Sequence, residues 1–187
     1  MDRRIIKTRK AIIEAFVDLL NNKRYSKITI QDIIDHANVG RSTFYMHFET
    51  KDELLKSMCM EIFDHIFEEH SVAEKTHCFT FDASHPDQII THILYHFKEN
   101  EKMIRGILFS ESGELFIQYF KLYFNKQIEK ILDAFPNSSQ VLPRDFLINH
   151  ISGSFIEMVR WWFEQDLSSI PEDLAKYFTI TLLPLLT

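Results

Sequence analysis

Between positions 41 and 47 the chain reads Arg-Ser-Thr-Phe-Tyr-Met-His. Arg41, Ser42, Thr43, Tyr45 and His47 carry hydrogen-bond donors that reach phosphate oxygens and the edges of bases, and an arginine fork matches O6 and N7 of guanine. That is the chemistry of nucleic-acid reading. Two other constellations invite different chemistry. His92 and His96 stand four residues apart, which puts both imidazoles on one face of a helix. No Glu follows His92 as a base, and Glu74-Lys75-Thr76-His77 is a single copy where a di-iron bundle needs a pair. No metal site and no cofactor are expected, and these imidazoles read as core, surface or pocket-lining groups. Cys59 as a redox sensor needs a lowered pKa, and nothing adjacent in sequence supplies one. Cys59 and Cys78 form neither a metal-ligand spacing nor a disulfide framework, so they are expected as reduced thiols. With no catalytic constellation, the chain is not expected to be an enzyme; a metalloenzyme on a helical bundle is the alternative that metal analysis would test.

The elements that must position residues 41–47 are helices. Four Gly and five Pro in 187 residues leave long helix-period patterns uninterrupted, and the fold class is all-α. From Arg3 to Asn22 the apolar residues Ile5, Ile6, Ile12, Ile13, Phe16, Leu19 and Leu20 recur at three- and four-residue steps, the pattern of one buried stripe. Thr29 reads as the N-cap of a short helix from Ile30 to about His36, with Asp32 in its first turn where the helix dipole favours an anion. Asn38 tolerates the left-handed conformation that ends a helix, and Gly40 is acceptable as the next N-cap. A second short helix, Arg41 to about His47, follows at once. Two short helices joined by a tight turn make a helix-turn-helix, with Ile30, Ile33, Ile34, Ala37, Val39, Phe44 and Phe48 as its core.

The run from Thr29 to Leu54, including Thr43-Phe44-Tyr45, His47-Phe48 and Lys51, resembles the DNA-binding signature of the tetracycline-repressor-type (TetR/AcrR) transcriptional regulators. The likeness extends upstream through Thr8-Arg9 and Ile12 to Leu20 and covers roughly the first 56 residues. The family's usual turn is Ala-Gly-Val-Ser, from which Asn38 and Gly40 depart; the missing serine puts a DNA contact from position 40 in doubt. The resemblance implies that Thr29, Tyr45, His47 and Lys51 clamp the phosphate backbone while Arg41, Ser42 and Thr43 face bases in the major groove. Arg41 either reads a guanine or holds only a phosphate. Arg3, Arg4 and Lys7 are placed to add backbone or minor-groove contacts, a solvated basic face being the plainer reading for Lys7.

Charge supports the same division. The net charge of −6 taken alone argues against a nucleic-acid partner. Yet residues 1–56 hold eleven Lys/Arg against eight Asp/Glu, net +3, and residues 57–187 hold ten against nineteen, net −9. Such asymmetry between halves points to nucleic-acid binding by the basic one. At 45% hydrophobic and 13% aromatic the chain has the composition of a packed protein. Nothing approaches the ~18 continuous apolar residues of a membrane span, and no apolar signal core follows Arg3-Arg4; no membrane partner and a cytoplasmic location are expected.

Domains are expected at 1–50, the three-helix DNA-binding domain, and 51–187, a larger helical domain for ligand sensing and dimerisation. A linking helix at about 51–75 begins at the cap Thr50 and carries Leu54, Leu55, Met58, Ile62, Phe63, Ile66 and Phe67 along one side. The segment 76–87 reads as an irregular connection. Further helical patterns fall at about 87–99, 101–109, 111–135, 143–166 and 171–186, with Pro143 and Pro171 suited to N1. Fourteen of the seventeen Phe lie beyond residue 56. A Phe stripe is core far more often than cofactor box, but an aromatic-rich helical domain also suits an apolar cavity; Phe67, His96, Phe109, Phe116, Phe120 and Phe155 are its candidate lining. The last two helices are similar to those that pair about a twofold axis in the family. Ile151, Phe155, Met158, Trp162, Phe178 and Leu182 are the expected dimer interface, and packing within one chain is the alternative. The resemblance implies a homodimeric repressor that binds double-stranded DNA at a palindromic operator and is released by a partly apolar small molecule. An activator or coregulator working through a protein partner is the alternative within the family.

Overall fold

The periodic apolar pattern at the N-terminus becomes α1, Arg3–Asn22, in a computed structural model that describes residues 3–67, 85–134 and 142–186. Its buried face is Ile12, Ala15, Phe16, Val17 and Leu20. Ile5 and Ile6, expected on that stripe, are exposed because burial of α1 begins only after its first two turns. A 3-10 turn at Tyr25–Lys27 leads into α2, Ile30–Ala37, and α3, Arg41–Tyr45. Then come α4 (Lys51–Phe67), α5 (Pro86–Glu99), α6 (Glu101–Leu108), α7 (Gly113–Ala134), α8 (Arg144–Glu164) and α9 (Pro171–Leu186). Among the described residues there is no strand.

Local chemistry explains most boundaries. Thr50 Oγ1 accepts from the Glu53 backbone N–H at 3.0 Å and so caps α4. Pro86 and Pro171 open α5 and α9, where their missing N–H has no helical partner to lose. Pro143 sits one residue ahead of α8, at its cap. The expected linking helix 51–75 is described only to Phe67; its later residues, and positions 76–84 of the connection expected at 76–87, lie outside the described residues, while Pro86 and Asp87, expected in that connection, instead form the first turn of α5.

The chain gathers into two compact units, Met1–Ile62 with Glu101–Tyr119, and Phe63–Asn100 with Phe120–Thr187. This grouping departs from a boundary at residue 50, because α6 packs on α1. Lys102 forms a 2.5 Å ion pair with Asp18, Asn21 Nδ2 donates to the Lys102 carbonyl at 3.2 Å, and Glu111 accepts from the Ser26 N–H at 3.0 Å. A Cβ added at Gly106 would lie 2.7 Å from Asn21 Nδ2, so a side chain there would displace the Asn21 amide that joins α1 to α6. In the second unit α9 packs on α5 and α8, around a core rich in Phe.

Candidate nucleic-acid interface

The first unit builds its reading surface from α2 and α3. Thr29 closes a capping box: its Oγ1 accepts from the Asp32 N–H at 3.1 Å, and Asp32 Oδ2 accepts from the Thr29 N–H at 2.7 Å. Lys23 reaches the same carboxylate at 2.7 Å. The Lys23 ammonium, then the Thr29 donors, hold Asp32 well below the usual carboxylate range. At the other end of α2, Asn38 adopts the left-handed conformation at φ 52°, ψ 47°, a cost that Asn tolerates and β-branched residues do not. Gly40 has φ −74°, so the turn into α3 does not require glycine there.

α3 then separates its faces. Phe44 and Phe48 are buried and in ring contact, fixing the helix to the core. Arg41 and Ser42 are exposed, Thr43 and His47 half-buried, and Tyr45 is 45% exposed with its ring edge-on to Phe44 at 5.7 Å. The Arg41 guanidinium lies 5.9 Å from the Tyr45 ring. Met46, 78% exposed, was not anticipated from sequence. A thioether between two polar neighbours gave no signal until the helix turned it outward beside Tyr45, where an apolar tip suits the methyl group of thymine.

Two expected phosphate clamps are used within the protein. Thr29 donates its hydroxyl proton to Asp32 Oδ2 at 2.8 Å. Lys51 donates to the carbonyls of Tyr25 and Ile28, both at 2.9 Å, and its ammonium lies 4.2 Å from the Tyr25 ring. Two of its three donors therefore fasten the start of α4 to the 3-10 turn, and Tyr25 adds a hydroxyl bond to Asp52. Arg9 extends this bracing. It pairs with Glu61 on α4 and sits 4.5 Å from the Phe48 ring. Burial, and then the Arg9 charge, lower the His47 imidazole from its ordinary value.

In the second unit, Phe67, Phe120 and Phe155, three of the expected lining residues, are in ring contact, with centroids 5.9 Å apart for Phe67 and Phe120 and 5.4 Å for Phe120 and Phe155. Two members of the expected lining do not join them. Phe109, just past the end of α6, is 47% exposed, and Phe116 is buried in the first unit. His96 is buried beside His92 and His65, with ring centroids at 4.5 and 4.8 Å, and His92 Nε2 donates to the Ile66 carbonyl at 3.0 Å. Among the described residues no three His, Cys, Asp or Glu side chains are arranged to hold a metal ion. Cys59 is buried, and burial pushes its thiol up to about 12, opposite to the shift a redox sensor requires.

The expected dimer residues also need correction. Ile151, Phe155, Trp162, Phe178 and Leu182 are buried within the chain itself, and Met158 is half-buried. Trp162 even spends its indole N–H on the Ser169 carbonyl at 3.0 Å. The exposed apolar groups on the same helices are Phe146 and Trp161 on α8, and Tyr177 and Ile180 on α9. α8 thus carries two exposed aromatic groups on an otherwise polar outer face, and the helical spacing of its apolar residues marks the inner one.

A short exposed helix presented by a capped partner helix, ahead of an α-helical body, defines a helix-turn-helix regulator. The family model for bacterial regulatory proteins of the tetR family matches residues 12–58, and a transcriptional regulator C-terminal region model matches residues 84–183. A TetR transcriptional regulator from Streptococcus agalactiae 2603V, solved by crystallography, is 37% identical, with 97% of this chain and 96% of that chain covered and a TM-score of 0.67. The chain belongs to the TetR family of transcriptional regulators, which are DNA-binding proteins and not enzymes. A probable acrEF/envCD operon repressor of Escherichia coli (strain K12) is 28% identical, covering 84% of this chain and 76% of that protein. An uncharacterized HTH-type transcriptional regulator, YxbF, of Bacillus subtilis (strain 168) is 46% identical over 71 residues; the match spans 35% of this chain and only 19% of YxbF. No described helix is long and apolar enough to cross a membrane.

Proposed function

We propose that the chain is a ligand-responsive repressor that binds a twofold-symmetric DNA operator as a homodimer. The observation that carries this reading is the outward row Arg41, Ser42, Tyr45 and Met46 on a helix whose other side is locked by Phe44 and Phe48. Arg41, Ser42, Thr43 and Met46 face the bases, and Tyr45 and His47 face phosphates. Thr29 and Lys51, already engaged internally, are positioning residues that fix α2 and the start of α4. Likeness to a probable operon repressor over 84% of this chain supports repression, and likeness to an operon activator, DhaS of Lactococcus lactis, over 28% of it supports the alternative.

The proposed dimer surface is the exposed face of α8 and α9, with Phe146, Trp161, Tyr177 and Ile180 as its apolar anchors. An added Cβ at Gly153 meets nothing within 4 Å, so a second helix can approach closely there. A closed twofold pair places two α3 helices on half-sites separated by a helical turn or its multiples. The ligand acts by population shift, binding the form unfit for the operator better than the fit one. The interior of the second unit, where Phe67, Phe120 and Phe155 meet and His96 is buried, is the proposed ligand region.

The test is footprinting of the DNA flanking the chain's own gene, with Arg41→Ala and Tyr45→Ala as controls and the mass of Trp161→Glu measured in solution. A palindromic footprint lost in both α3 variants, with dissociation of the Trp161→Glu pair, is the expected result. A wild-type monomer, or unchanged footprints in the variants, overturns the reading.

A further inference from the structure

The core of the second unit contains a polar side chain that its apolar surroundings do not explain. Along α7, Phe120, Phe124, Gln127, Ile128 and Ile131 share one buried face, and Gln127 falls one turn beyond Phe124. Gln127 is only 6% exposed, and its Oε1 is buried with no hydrogen-bond partner. A buried carbonyl left unpaired loses its hydration without replacement, and native proteins retain few such groups without a reason. Side chains on a helix lean toward its N-terminus, which tilts this amide back toward Phe124 and Phe120.

No described donor lies within hydrogen-bond distance of it. The buried hydroxyl of α8, Ser152, gives its proton to the Asn149 carbonyl at 3.2 Å. Among the described residues no Lys, Arg, Asp or Glu is buried, so the interior offers a guest no full charge of these kinds. Toward the N-terminal end of the face that Gln127 shares, the buried side chains of α7 are aromatic. Phe124 and Phe155 have centroids 4.6 Å apart, Phe120 and Phe155 lie within 13° of parallel at 5.4 Å, and Phe120 and Phe124 lie within 29° at 5.0 Å. Near-parallel rings extend readily over another flat π-system.

Building on the ligand-responsive reading above, we infer that the effector is an uncharged aromatic molecule bearing a hydrogen-bond donor, which places that donor on Gln127 Oε1 and its ring among Phe120, Phe124 and Phe155. Selectivity follows from the acceptor. A guest with a donor satisfies a group that is otherwise buried unpaired, whereas a plain hydrocarbon of the same shape leaves it orphaned. Because the rings are now in contact with one another, the guest enters a form in which they have parted, and that difference between forms is what lets binding shift a population.

The experiment compares phenol, anisole and toluene, at equal concentrations below denaturing, by calorimetric binding and thermal melting of the full chain, wild type and Gln127→Met. Phenol donates and accepts, anisole only accepts, and toluene does neither. In the wild type, phenol is expected to bind about tenfold more tightly than either of the others, the factor equivalent to one ordinary hydrogen bond. Gln127→Met removes the acceptor at nearly constant length, so it is expected to melt above the wild type and to bind all three probes alike. Equal binding of phenol and toluene by the wild type overturns the inference and leaves the amide to water. A preference for anisole overturns it as well, since the amide then presents its N–H₂. A Gln127→Met protein that melts lower, or that still prefers phenol, also overturns it; the wild-type comparison decides the matter even if that variant does not fold. Mobility shift with operator DNA is run in parallel. Phenol that binds as expected without releasing DNA refutes ligand-responsive repression and leaves the Gln127 site standing.

Discussion

The two compact units hold their shape by different means. In the first, directional bonds do much of the work: the Thr29–Asp32 box, Lys51 on two carbonyls, Arg9 between Glu61 and Phe48, and Lys102 on Asp18. In the second, large rings dominate, with Phe97, Phe120, Phe124, Phe155 and Phe178 in mutual contact and an unpaired Gln127 acceptor close by in the sequence. Hydrogen bonds and caps fix orientation within narrow angular limits, as a surface that must match base edges requires. Ring packing admits stacked, tilted and edge-on arrangements of similar energy, as the proposed ligand region would require. The difference teaches that precision and adaptability are assigned to different chemistries in one chain.

The largest effect is expected where the rings meet. Phe155 is fully buried against Phe97, Phe120, Phe124 and Phe178, so Phe155→Ala should cost about 3–5 kcal/mol in chemical denaturation. If it costs less than about 1 kcal/mol, the ring cluster is not what holds the second unit.

A pair of variants sharpens the distinction within the first unit. Thr29→Ala loses the capping box and should cost about 1 kcal/mol of stability, weakening operator binding while leaving its salt slope unchanged. Tyr45→Ala should leave stability nearly unchanged, weaken binding at every operator sequence and reduce the salt slope by about one phosphate contact. Reversal of the two slopes in salt-dependent mobility shifts would make Thr29 the clamp and Tyr45 the structural residue.

A smaller effect concerns pH. His47 is lowered from its ordinary value by burial and by Arg9, so it is neutral at pH 7. The unfolded chain binds this proton more readily, so the His47 contribution to stability is complete above the ordinary histidine range of about 6.5 and is lost as pH falls below it. Phosphate favours the imidazolium, so operator affinity should rise over the same descent. His47→Asn should flatten both trends in parallel titrations of melting temperature and binding.

The smallest expected effect is at the turn. Gly40→Ser meets only ordinary contacts, the nearest being Thr43 Oγ1 at 3.6 Å, and gives α3 a side-chain cap it lacks. Stability should rise by a few tenths of a kcal/mol, and DNA binding should tighten if the hydroxyl also reaches a phosphate. A destabilised Gly40→Ser would show that the turn needs glycine after all.

The sequence by itself determined whatever depends on neighbours a few residues apart. The extent of α1, the cap at Thr29, the left-handed Asn38, the helix start at Pro171, and the burial of Phe44 and Phe48 beneath Arg41 and Tyr45 all follow from backbone chemistry and helical period. Tertiary structure alone decided which partner each long or two-faced side chain takes. Lys51 is a cation in any reading, but only the folded 3-10 turn brings two carbonyls within its reach. α8 carries apolar groups on both sides, and which side faces inward depends on α9 and the aromatic cluster, so Trp162 is buried while the adjacent Trp161 is exposed. α6 joins the first unit through Asn21 and Asp18, which bind the Lys102 carbonyl and ammonium more than 80 positions away. Local periodicity carries no information about contacts at such separations; they are fixed only when burial and close packing select one arrangement of the helices.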